Sequence, residues 1–232
     1  MSKDVRKKDK AWEEAYNLIR DKILSMEIKP GESVTEMSLS KRLGIGRTPV
    51  REALKRLEQE GLIVTSNRRK RVFVLTIKDI EEIFDLKKSL EGSVLRWATE
   101  RKTEKEAGLL RTVFNEIKAL LDAKPDNSDK DDSWFQEWLA RDEELHEILL
   151  KMAKNERAGT IITNLNNQWH QLKLGILAIE GRIEHSYKEH ERFVQAVLEG
   201  NPDKAEEAVQ VHLENLEKMI IRLMKIFYYP AT

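Results

Sequence analysis

The sequence predicts a mainly α protein, an N-terminal winged helix-turn-helix followed by an all-α antiparallel helical bundle. Three observations predict it. Residues 39–63 read as two short helices joined by a glycine turn. Residues 62–76 hold β-branched, apolar runs around a basic centre, and from Lys78 onward long amphipathic segments follow with little strand signal. The composition agrees, because 35% charged residues with only ten glycines and five prolines in 232 suits a helix-rich chain.

The first helix of the pair covers 35–43 and stops at Gly44, which takes a left-handed C-cap conformation without a Cβ penalty. The second restarts within a few residues. Pro49 disfavours helical geometry at Thr48 yet is tolerated in a first turn, so Thr48 is the expected N-cap, with Gly46 the alternative. Val50, Ala53, Leu54 and Leu57 recur at i, i+3, i+4, i+7 and mark the core face; Thr48, Arg51 and Lys55 line another. Arg47 and Arg51 sit at the dipole-positive end, where a cation is unfavourable unless an external anion lies beside it. Phosphate fits that role, and arginine also matches guanine O6 and N7 in the major groove. A solvated basic helix end is the competing account.

After Gly61 the period changes. Residues 62–65 and 72–76 flank Ser66-Asn67-Arg68-Arg69-Lys70-Arg71, which reads as a hairpin with a basic tip. Four consecutive cations repel one another, so a polyanion in contact with the tip explains them better than a solubilising loop.

Whole-chain charge is uninformative, with 41 basic and 41 acidic residues. Its distribution is informative. Residues 1–76 hold 18 Lys and Arg against 11 Asp and Glu, and the remainder holds 23 against 30. This asymmetry predicts two domains, 1–76 for DNA and 77–232 for the helical part. The chain has no cysteine and no apolar run near the roughly 18 residues a membrane helix needs, so a soluble cytoplasmic protein without a membrane partner is expected.

In the second part Ile80, Ile83, Phe84, Leu90, Val94, Leu95 and Ala98 form the first apolar stripe. Further helices are expected over 104–121, 134–153, 158–179, 184–199 and 202–227. Residues 123–133 form a polar connector whose acidic run lacks the glycine and the ligand spacing of a calcium loop. Leu216, Met219, Ile220, Leu223, Met224, Ile226 and Phe227 make the last helix nearly apolar all round. Core packing is the first account of that end and a subunit interface the second.

Chemistry in this part rests on histidine. Asp142 and His146, four apart, project from one helix face. His190 and His212 flank the break Gly200-Asn201-Pro202-Asp203. Nine residues separate His190 from Glu199, and nine separate Asp203 from His212, so both lie about 14 Å from the turn and stand level in an antiparallel hairpin. Two helical pairs offering ligands at one height can close around a divalent cation. Taken singly, each pair also fits a surface ion pair or a hydrogen-bonded core histidine.

A family resemblance bears on both parts. Ile28-Lys29-Pro30-Gly31, Leu43-Gly44-Ile45-Gly46-Arg47-Thr48-Pro49-Val50-Arg51-Glu52-Ala53-Leu54 and Leu57-Glu58-Gln59-Glu60-Gly61-Leu62 resemble the winged helix-turn-helix of GntR-family bacterial transcription regulators. The resemblance implies that Arg47, Thr48 and Arg51 contact double-stranded operator DNA while the wing, with Arg68, Arg69 and Lys70, enters an adjacent groove. Two positions depart from the pattern: Gly46 stands where a serine is usual, and Val72 where a glycine is usual. The remainder resembles the FCD ligand-binding domain of the FadR subfamily. Its pattern of Asp-x-x-x-His, a histidine after glutamate and a last histidine one turn-and-helix later falls on Asp142, His146, Glu189-His190 and His212. The resemblance implies that these four bind a divalent metal, zinc or nickel. His170 and His185 lie outside the pattern. In many members an arginine precedes a glutamate by four residues in the first helix; here those positions are Lys87 and Glu91, and lysine lacks the bidentate fork.

A metal held by three imidazoles and one carboxylate keeps a net charge near +1 and, if it prefers more than four ligands, has open positions for a small carboxylic-acid effector, whose binding shifts helix packing and changes the spacing of two DNA-binding domains. A homodimer is expected because half-sites repeat about every 34 Å along the duplex. Two alternatives compete, a metal-dependent hydrolase and a regulator with a purely structural metal. The hydrolase leaves residues 1–76 unexplained, so a non-enzymatic regulator is expected.

Overall fold

The computed structural model describes residues 3–125, 132–177, 179 and 181–227; the acidic run of the connector, at 126–131, lies outside the described residues. In chain order the elements are α1 (Lys3–Leu24), β1 (Ser33–Val34), α2 (Glu36–Leu43), α3 (Arg47–Gln59), β2 (Ile63–Ser66), β3 (Arg69–Val72), α4 (Ile77–Arg101), α5 (Glu104–Asp122), α6 (Asp132–Met152), α7 (Glu156–Leu177), α8 (Arg182–Glu199) and α9 (Pro202–Phe227). The fold is mainly α, with a three-stranded sheet as its only strand structure among the described residues. Two compact units form, Met1–Thr76 with Asn166–Gln171 and Ile77–Leu165 with Leu172–Thr232.

In the N-terminal unit, α1 was not signalled by the motif reading. Ala15, Ile19 and Ile23 fall at i, i+4, i+8 and bury one stripe against Val50, Ala53, Leu54 and Leu57 of α3. Each fully buried Ile or Leu there stabilises the unit by about 1.5–3 kcal/mol. Thr35 caps α2 in a capping box with Ser38, and Gly44 ends it at φ 69°. The cap of α3 corrects the expectation for Thr48. Gly46 is the N-cap, and Thr48 lies inside the first turn. Val50 N donates to Gly46 O at 3.3 Å, so Pro49 is the third helical residue, where a backbone N–H has no helical partner to lose. At the far end Glu60 is buried, accepting from Arg56 Nε at 2.8 Å and from Tyr16 Oη at 2.7 Å, which ties α1 to α3. Burial, with the hydrogen bond to Glu60, pushes the Tyr16 phenol up to about 12.

The wing also departs from expectation. The returning strand is 69–72 rather than 72–76, and the tip is only Asn67 and Arg68, at φ 50° and 62°. Positive φ at both central residues is the requirement of a type I′ hairpin turn. Asparagine accepts it readily, whereas Arg68 carries about 1–2 kcal/mol of conformational cost. β1 adds a third strand in the order β1-β3-β2, pairing Val34 with Lys70. Lys70 is therefore a strand residue, not a tip residue. Its ammonium also bonds Glu58 of α3, in a partly exposed pair.

The helical unit follows the expected segments within two residues at each end. Along α4 the buried positions include Ile80, Ile83, Phe84, Val94, Leu95 and Ala98, while Leu90 is half-buried and Lys87 and Glu91 take core places instead. Thr103 and Glu106 form the capping box of α5. Gly200, at φ 75°, ends α8, and Asn201 Oδ1 accepts from Lys204 N to open α9. Leu216, Ile220 and Met224 give α9 a buried stripe at i, i+4, i+8; Ile226 is exposed. Core packing therefore accounts for that stripe.

Candidate metal centre and nucleic-acid face

The nucleic-acid candidates separate into exposed and engaged residues. Arg47, Thr48 and Arg51 are all exposed on the first turns of α3. No acidic residue occupies that first turn and no side chain caps it, so the orphan backbone N–H groups and both guanidinium groups remain suited to an anion. Arg51 Nε lies 3.8 Å from Glu52 Oε1, an exposed pair of little energetic weight. On the wing Arg68 and Arg69 are exposed, whereas Lys70 is held by Glu58 and Arg71 donates to Gly31 O at 3.1 Å.

The metal candidates come from α6, α8 and α9. Asp142, His146 and His190 each offer a ligand atom within 4.8 Å of the other two. Asp142 Oδ1 lies 3.3 Å from His190 Nδ1 and 4.0 Å from His146 Nε2. His212 stands level with His190 across the α8–α9 turn, ring centroids 4.8 Å apart, as nine residues on either side of the break require. Its ligand atoms are not part of the three-residue cluster. Instead His212 Nδ1 donates to Glu189 Oε2 at 2.8 Å, which in the neutral imidazole leaves the Nε2 lone pair available.

Electrostatics favour a cation here. Asp142 is buried, and burial opposes its ionisation, but the charge and hydrogen bond of Lys173 outweigh this and hold the carboxyl well below its ordinary range. Lys173 Nζ donates to Oδ2 at 3.0 Å, while Oδ1 is a buried carboxylate oxygen without a hydrogen-bond partner. Such an orphaned acceptor is costly unless something positive meets it. Desolvation lowers His146 to about 4 and drives His190 down as well, so both imidazoles are neutral, the form that ligates a metal. The residues present thus fit a divalent cation by donor set, with one carboxylate oxygen left to meet it.

A supporting layer surrounds them. Glu189, buried, accepts from Arg182 Nη1 and Nη2 at 3.2 Å and from Asn215 Nδ2 at 2.9 Å besides His212. Burial alone would raise its carboxyl, yet these partners pull it to about 2. Ser186 Oγ lies 3.3 Å from His190 Nε2. On α4, Lys87 and Glu91 form a buried pair. The sequence reading missed Lys173, Arg182 and Asn215. Arg182 lies seven residues before Glu189, two turns along one helix, so its spacing carried a signal; Lys173, on a separate helix, carried none.

The model of the FCD domain matches residues 82–215, and that of bacterial regulatory proteins of the gntR family matches 11–74. The chain belongs to the GntR family. It is a transcriptional regulator of that family with an FCD domain, and its relatives carry regulator names. The HTH-type transcriptional regulator YdhC of Bacillus subtilis is 26% identical over 202 residues, 86% of each chain. LutR of the same organism is 26% identical over 211 residues, covering 84% of this chain and 94% of its own. Among solved structures, Escherichia coli McbR/YncC aligns with a TM-score of 0.71 at 14% identity, over 92% of this chain and 98% of that one, a likeness of fold. No helix among the described residues of this GntR protein is long and apolar enough to cross a membrane.

Proposed function

We propose that this regulator binds operator DNA as a homodimer through Arg47, Thr48 and Arg51, with Arg68 and Arg69 of the wing on the adjoining backbone. Its affinity is controlled by a small organic acid bound at a divalent metal held by Asp142, His146, His190 and His212. The observation that carries the metal reading is Asp142 Oδ1, a buried, unpartnered carboxylate oxygen facing neutral imidazoles. When bound, the metal supplies open positions for a carboxylate. Glu189 fixes the His212 tautomer, and Ser186 sits against His190. An acid that binds one packing of α6, α8 and α9 better than another shifts the equilibrium by that difference alone.

Gel-shift titration of genomic fragments tests the proposal, with the full chain metal-loaded, metal-stripped and in the presence of a panel of organic acids. Acids are expected to change operator affinity only when metal is present. A response that survives metal removal refutes control through the metal.

The DNA half has its own test. Arg47→Ala or Arg51→Ala is expected to cost about 1–3 kcal/mol of specific binding, because each removes a guanidinium able to engage a base edge or phosphate. Unchanged operator affinity in both variants would move the interface off α3.

A further inference from the structure

The charges around the proposed ligands cancel in pairs. Asp142 faces Lys173, Glu91 faces Lys87 and Glu189 faces Arg182. Imidazoles that ligate a metal are neutral, so a divalent cation adds two positive charges that none of these paired carboxylates is left to offset. Unpaired charge is strongly disfavoured where water is excluded. A monocarboxylate arriving with the metal offsets one charge; a dianion offsets both.

The two lysines of the cluster differ in what they can offer such a dianion. Lys87 is sequestered against Glu91, with side chains only 3% and 9% exposed. Lys173 keeps 21% of its side chain exposed and meets Asp142 through Oδ2 alone, on the opposite oxygen from the unpartnered Oδ1. A cation taking Oδ1 leaves Lys173 in place at the edge of the site. An ammonium group has three N–H donors, so one bond to Asp142 leaves capacity for a second acidic group. Charge-assisted bonds of this kind are among the stronger polar contacts.

Resting on the reading of Asp142, His146 and His190 as metal ligands, we propose that Lys173 is a specificity-determining residue that anchors a second carboxylate, so that the site takes a dicarboxylate dianion in preference to a monocarboxylate. The proposal concerns a side chain outside the ligand set and distinguishes acids of equal length by charge.

Calorimetric titration of the zinc-loaded full chain with succinate and with butyrate, at constant ionic strength, tests it. Succinate is expected to bind at least about tenfold more tightly, the difference one charge-assisted hydrogen bond supplies. Lys173→Met should make the two acids equivalent, and Lys173→Arg, which retains the charge, should keep the preference. Equal affinity of the unaltered protein for both acids, or no binding of either, overturns the proposal without need of a variant. So does a full succinate preference in folded Lys173→Met. Titration with zinc alone separates the two readings. Absence of zinc binding refutes the metal centre and the proposal with it, whereas zinc binding without acid preference refutes only the role of Lys173.

Discussion

Glu189→Ala is expected to destabilise the helical unit by about 3–5 kcal/mol, the scale for removing one partner of a buried ion pair. The loss comes less from the missing contacts than from what remains. Arg182 is 4% exposed and directs two guanidinium nitrogens at one Glu189 oxygen, so alanine leaves a buried positive charge with its partner gone. His212 Nδ1 and Asn215 Nδ2 lose their acceptor in the same step. Urea unfolding of the full chain measures the effect, and Glu189→Gln should cost less because a carbonyl oxygen still accepts. Removing Arg182 as well should recover part of the loss, since the double variant no longer buries an unpaired guanidinium. A loss below about 1 kcal/mol in Glu189→Ala would mean that water reaches the site and screens the pair.

That network shows where sequence reasoning reaches and where it stops. Helix positions were legible because Val50, Ala53, Leu54 and Leu57 repeat at the helical period and Gly44 and Gly200 mark ends by positive φ. The level placement of His190 and His212 was legible too, since equal counts to a turn fix equal heights whatever packs around them. The wing was less so. Thr65, Arg69 and Lys70 suit a strand as well as a turn, and the two-residue tip depends on Asn67 and Arg68 adopting positive φ, which an arginine does not announce. Pro49 restricts its predecessor and so points to Thr48 as the cap of α3, but a first turn tolerates that restriction when Gly46 supplies the extended residue before it. Charge pairing was the least legible feature. Lys70 with Glu58 joins a strand to a helix, and Lys173 with Asp142 joins α7 to α6; no spacing along the chain encodes either.

His190→Ala is expected to lower metal affinity by at least about a hundredfold, beyond the effect usual for outer-layer partners of ligands, so that the purified variant carries almost no metal by elemental analysis. His190 is central to the candidate centre. It lies between Asp142, whose Oδ1 is 3.3 Å away, and the rings of His146 and His212, at centroid distances of 5.0 and 4.8 Å. Alanine there removes one donor and separates α6 from α9 across the gap. His212→Ala should act in the same direction, its Nε2 being the donor that Glu189 leaves available. His185→Ala supplies the control: His185 is exposed on α8 and outside the pattern, so its loss should leave metal content unchanged. Folding can be separated from ligation, because a variant that merely unfolds loses its helical signal, whereas one that loses only a ligand keeps it and loses the thermal shift that added metal produces. Full metal retention in folded His190→Ala would remove this residue from the ligand set. The unpartnered Asp142 oxygen would then need another cation, and Lys173, already 3.0 Å from its companion oxygen, is the side chain placed to provide one.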